Sequence, residues 1–141
     1  MDYLYITFDP AKRPDGIHSL RSEYVETFWM PSLGPSAIAF LRFAGHLYEP
    51  LAHISERAQT SVPIQQLAPS LGLRGGLSGN SRLGRTISRL DYFRILEHTN
   101  PQSITLTPLL PSLRPHQIAK LPTALQHLHD THTTSLDGEM V

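Results

Sequence analysis

A chain of 141 residues with 12 basic side chains, 12 acidic ones and no cysteine is long enough to fold as one domain around its own core, without disulfides or thiolate metal sites. Zero formal net charge excludes indiscriminate coating of polyanions and leaves room only for a local docking face. Pro31 and Arg42 interrupt the most apolar region, and Met1-Asp2-Tyr3 lacks the basic and apolar regions of a secretion signal, so the expectation is a soluble cytoplasmic protein without a membrane partner.

In chain order, Leu4, Ile6 and Phe8 alternate with Tyr3, Tyr5 and Thr7, the period of a strand. Residues 9–16 carry two prolines, two aspartates and a glycine and read as a loop. Ser19 suits an N-cap for a short helix reaching Met30, with Leu20, Tyr24 and Phe28 four apart and Pro31 ending it. Core packing accounts for Tyr24, Phe28 and Trp29 at that spacing better than base stacking does. Gly34-Pro35-Ser36 opens a second helix, apolar nearly all round to Leu47 and therefore central to a core. Residues 48–62 fit a helix or a loop. Pro63 starts a helix that carries Leu67, Ala68 and Leu71, contains Pro69, and ends at Gly72.

The connection that follows, Arg74-Gly75-Gly76-Leu77-Ser78-Gly79-Asn80, is glycine-rich, and with Arg74 it suits an anion-binding nest. Asn80 or Ser81 caps the next helix, to about Phe93. Residues 94–107 read as a hairpin turning at Thr99-Asn100-Pro101-Gln102, with Ile104 and Leu106 alternating along its second arm. Three prolines at 108, 111 and 115 break up the chain before a last helix from 115 or 116. The organisation expected is an N-terminal strand and loop (1–18), a domain over 19–129, and a disordered polar tail (130–141).

Charge is unevenly spread. From Arg57 to Leu90 there is no acidic residue, yet Arg57, Arg74, Arg82, Arg85 and Arg89 fall there. At about 100° per residue, Leu83, Ile87 and Leu90 share one face of the helix 81–93, and Arg82, Arg85 and Arg89 share another about 130° away, with Thr86 beside them. An ordinary solvated face would interleave glutamates with the arginines. A row of guanidiniums a little over 10 Å long fits a major groove and pairs with phosphates or guanine edges.

Leu67-Ala68-x-x-Leu71-Gly72-Leu73, then a turn, then Thr86-Ile87-Ser88-Arg89-Leu90 and Phe93-Arg94-Ile95, resembles the helix-turn-helix of winged helix-turn-helix transcription regulators over roughly residues 36–107. The resemblance implies a mainly α fold with a small β-hairpin wing. It also implies a sequence-specific, double-stranded DNA-binding protein whose helix 81–93 enters the major groove. Arg74, Ser81, Arg82, Arg85, Thr86 and Arg89 are then DNA-binding candidates, and His98, Asn100 and Gln102 are candidates at the wing tip. A homodimer reading two half-sites is expected, through the first helix or the one near 115–129. The alternative is a winged-helix protein–protein interaction module within a larger nucleic-acid-handling complex. Pairing of Glu49, Glu56 or Glu97 with the arginine row would favour that alternative. His127, His129 and His132 suit a helix end better than a metal site. With no Gly-x-Ser-x-Gly elbow, His-Glu-x-x-His helix or close carboxylate pair, neither catalysis nor a cofactor is expected.

Overall fold

In a computed structural model describing residues 2–73 and 81–140, with side chains described through His132, the alternating N-terminal segment becomes the centre of the molecule. Leu4, Ile6 and Phe8 are buried, and strand β1 (Tyr3–Phe8) is paired along both edges. On one side lies β3 (Ala58–Pro63), antiparallel, with Leu4 opposite Val62 and Phe8 opposite Ala58. On the other lies β5 (Ser103–Leu106), parallel, with Ile6 beside Ile104 and Phe8 beside Leu106. Strand β4 (Leu96–Asn100) completes the order β3–β1–β5–β4. A second, two-stranded sheet joins β2 (His18–Ser19) to β6 (Leu109–Leu110).

This corrects the expected winged helix-turn-helix class. The hairpin 96–106 forms, but it is half of a four-stranded mixed sheet in an α+β fold rather than a small wing on a mainly α body. As a free wing it would have left Ile104 and Leu106 poorly covered. Pairing β5 with β1 aligns their buried side chains with those of β1, so both sets face one core.

The helices cover that face. Ser22, rather than Ser19, caps α1 (Glu23–Phe28), its hydroxyl accepting from the Val25 amide at 3.3 Å. The Ser19 backbone is engaged in β2. Pro31 falls in the first turn of α2 (Met30–Leu33), where its missing N–H costs nothing. Gly34, at φ 85°, turns the chain into α3 (Pro35–Ala52), a conformation open to glycine. Helix α3 buries Ala37, Ile38, Phe40, Leu41, Ala44 and Gly45. A Cβ at Gly45 would stand 2.7 Å from Arg21 Cγ, so the segment before α1 lies directly on α3 there. Residues 58–62, left open between helix and loop by their composition, form a strand with Pro63, the expected start of the next helix, because Ala58 and Val62 point inward while Gln59 and Ser61 are exposed. Helix α4 (Ile64–Ser70) ends at Gly72, φ 68°, where the Leu73 amide donates to the Ala68 carbonyl at 2.8 Å. Helix α5 spans Arg82–Tyr92. No helix among the described residues is long and apolar enough to cross a membrane.

The expected last helix is two, α6 (Pro115–Ile118) and α7 (Thr123–Met140). The backbone of α7 stays helical through the stretch 130–140, whose polar composition points to a tail. Helix α7 docks on α1 through Tyr24, whose oxygen accepts from the Leu113 amide at 2.8 Å and lies 2.7 Å from His129 Nε2. His18 stacks on the same ring at 3.7 Å and bonds Ser112 Oγ at 2.8 Å, and the His132 ring lies 5.5 Å away. Burial first, then the charges of His132 and His129, hold His18 below the usual histidine range. Burial likewise lowers His129, with Asp130 opposing and His132 reinforcing the shift. A lowered native pKa means that the unfolded chain takes up protons first. This contribution to stability is therefore complete above about pH 6.5 and is lost as acid carries the solution down through the native pKa values. Thermal unfolding is expected at a lower temperature at pH 5.5 than at pH 8, with the difference reduced in His129→Gln. Identical pH profiles for the two proteins would contradict the His129 contribution.

Candidate nucleic-acid interface

Local chemistry places α5. Ser81 is its N-cap, extended at φ −78° and ψ 162°, and the hydroxyl accepts from the Gly84 amide at 2.9 Å. Leu83, Ile87 and Leu90 are buried, as the spacing requires. Arg82, Arg85 and Arg89 are all exposed. Ser81→Ala is expected to cost about 1 kcal/mol of stability by denaturant unfolding. A change below about 0.3 kcal/mol would show that the cap is not what starts α5.

The arginine row does not stand on an open helix face. It forms one wall of a groove of about 560 Å³ whose other wall is the corner between α2 and α3, Leu33 to Ala37. Arg89 reaches across, donating from Nε at 3.1 Å and from Nη2 at 2.6 Å to the Ser32 carbonyl, and its guanidinium lies 5.9 Å from the centre of the Phe93 ring. Arg82 and Arg85 line the groove beside it. Among the described residues no carboxylate comes within salt-bridge distance of Arg82, Arg85 or Arg89. Glu49 pairs with Arg21, Glu97 with Lys12 at 2.8 Å, and Glu26 with Arg42 at 2.8 Å. The one acid on α5, Asp91, faces His98 Nδ1 at 3.5 Å. Hydrogen bonding to Lys12, then its charge, holds the Glu97 carboxyl below its usual range.

Of the other residues proposed for contact, one is buried against the groove and those of the hairpin lie elsewhere. Thr86 is 7% exposed and donates its hydroxyl to the Arg82 carbonyl at 2.8 Å, closing the inner side of the groove. His98, Asn100 and Gln102 are exposed on the hairpin but do not line the groove. His98 is tied to Asp91, about 150° round α5 from the mean direction of the arginines. Asn100 accepts from the Gln102 amide at 2.9 Å within its own turn. Arg57, the first arginine of the acid-free stretch, faces Asp9 at 3.9 Å. Arg74 and the glycine-rich nest lie outside the described residues. The structure thus brings Arg82, Arg85, Thr86 and Arg89 together in one groove, places Ser81 at the cap of the same helix, and leaves the hairpin tip apart.

Sequence reasoning missed the second wall. Gly34-Pro35 marked a helix start, but nothing local showed that this corner would meet α5. It also missed Arg94, Arg114 and Arg13, which converge near the C-terminal end of α5. Their separation in sequence carries no periodic signal. Among the described residues no group of three His, Cys, Asp or Glu could hold a metal ion; His129 is committed to Tyr24.

No protein-family model, curated protein or solved structure was found to match the chain, so the functional reading rests on the groove itself.

Proposed function

We propose that the chain binds double-stranded DNA through α5, in a role in transcription regulation. The observation that carries this reading is the convergence of Arg82, Arg85 and Arg89 along one groove with no carboxylate partner among the described residues. Guanidiniums without acidic partners, on a chain of zero net charge, attract a polyanion to one face, while the rest of the chain carries the balancing net negative charge. Arg82 and Arg85 make the direct contacts, to phosphates or to guanine edges. Arg89 is held by Ser32 and contributes charge and the donors that remain. The nearest competing reading, docking of a protein partner, predicts binding that survives neutralisation of these arginines.

Titration of a fluorescently labelled duplex at low and moderate salt, with Arg85→Ala and Arg89→Ala alongside, tests the proposal. Saturable binding that salt weakens, and that Arg85→Ala reduces more than it reduces stability, is the expected result. Failure to bind at low salt, or unchanged affinity in both variants, overturns it.

A further inference from the structure

The C-terminal end of α5 carries a second groove, of about 280 Å³, lined by Arg13, Trp29, Phe93, Arg94, Arg114 and His116 among others, with no acidic residue in its lining. Its three arginines come from separate segments: the loop after β1, the turn after α5 and the residue preceding α6. Arg13 is paired with Asp15 at 3.2 Å. Arg94 and Arg114 have no salt-bridge partner among the described residues.

Arg94 is the one described non-glycine residue at positive φ, 59°. Its amide donates to the Asp91 carbonyl at 2.9 Å and the Ile95 amide to the Leu90 carbonyl at 3.0 Å, the bonds that close a helix end where glycine is the usual residue. The chain thus holds a guanidinium where the backbone favours glycine.

The two grooves share no lining residue but approach each other at the Arg89–Phe93 contact near the C-terminal end of α5. Phe93 walls the second, and the Arg89 guanidinium of the first lies over its ring. From Arg82 to Phe93 the helix rises about 16 Å, enough to follow several phosphates of one strand at about 3.4 Å of axial rise each. Trp29 is buried and its indole N–H donates to the Pro111 carbonyl at 3.2 Å, so its ring serves as wall and not as a platform for bases. Arg13, Arg94 and Arg114 also line an adjoining groove with Lys12, Asp15, Asp91 and Glu97, where three acids partly offset the four cations. The hydrogen bond from Arg13 is the first cause that lowers the Asp15 carboxyl, and the charge of Arg114 is among the others.

Resting on the DNA-binding reading of α5, we propose that the phosphate backbone of one DNA strand runs along both grooves, from Arg82 and Arg85 past Arg89 and Phe93 to Arg94 and Arg114. The C-terminal contacts are made to phosphate alone and are indifferent to base sequence.

The test uses two labelled duplexes of unrelated sequence over a range of salt, with the full chain, Arg85→Ala, Arg94→Gly and Arg114→Ala. Arg94→Gly removes the guanidinium and leaves a residue suited to the positive φ, so it should melt no lower than the parent. Arg94→Gly and Arg114→Ala are each expected to weaken binding about fivefold or more, equally on both duplexes, and to reduce the salt slope by about one. Loss in Arg85→Ala with parent-like binding in Arg94→Gly and Arg114→Ala overturns the extended track and leaves the α5 reading standing. A loss in the two track variants that depends on duplex sequence overturns the phosphate-only contact. Absence of binding by the parent, or loss only in the track variants, overturns the track and the α5 reading together.

Discussion

Phe40→Ala is expected to remove about 3–5 kcal/mol of stability, the range for truncating a fully buried aromatic ring. Phe40 is 0% exposed on α3, in a contiguous cluster that includes Leu4, Ile6 and Phe8 of the central strand and Leu83, Ile87 and Leu90 of α5. The loss has two parts, the transfer of the ring out of water and the cavity left behind, which a helix bracketed by sheet and α5 cannot close by moving. Against a typical domain stability of about 5–15 kcal/mol, the variant would be marginal. Phe43, on the same helix but only partly buried, should cost less on the same change. Denaturant unfolding of both variants provides the comparison. A Phe40→Ala loss below about 1.5 kcal/mol would contradict the place given to α3.

The second large effect concerns binding. In the double variant Arg82→Ala, Arg85→Ala two exposed side chains are removed from α5, so the fold should be little affected. Each lost contact is expected to weaken duplex binding by about 1–2 kcal/mol, giving roughly thirtyfold to a thousandfold together, and to lower the salt slope by about two. Circular dichroism and thermal melting establish that the fold is retained, and anisotropy titration reads the affinity. Parent-like affinity with an intact fold would remove Arg82 and Arg85 from the interface.

The sequence made α5 legible in detail because three independent signals agreed there: a cap at Asn80 or Ser81, the apolar spacing of Leu83, Ile87 and Leu90, and the arginine row opposite. The strand 3–8 was equally clear from its alternation. Its partners were not. The pairing of Ile6 with Ile104 joins residues nearly a hundred positions apart, and parallel pairing leaves no turn residue to announce it. Residues 58–63 carry only Ala58 and Val62 on the inner face, too few for period two to stand out. Local cap, proline and periodicity signals located α4, α5 and the hairpin, but the winged helix-turn-helix arrangement drawn from them supplied no information on the strand that joins the hairpin into a four-stranded sheet. For the site, helical periodicity found the three arginines, whereas the wall at Leu33 to Ala37 and the contact of Arg89 with Ser32 depend on tertiary packing. The wing-tip residues were grouped with the arginines by analogy, and Asp91 holds His98 on the other side of the helix.

The most direct test of DNA binding through α5 is the salt dependence of duplex affinity for the unmodified chain. If each of Arg82, Arg85 and Arg89 neutralises a phosphate, the logarithm of the binding constant should fall against the logarithm of salt concentration with a slope of about −2.7 or steeper. A flat dependence on salt, or no binding at the lowest salt, would contradict it.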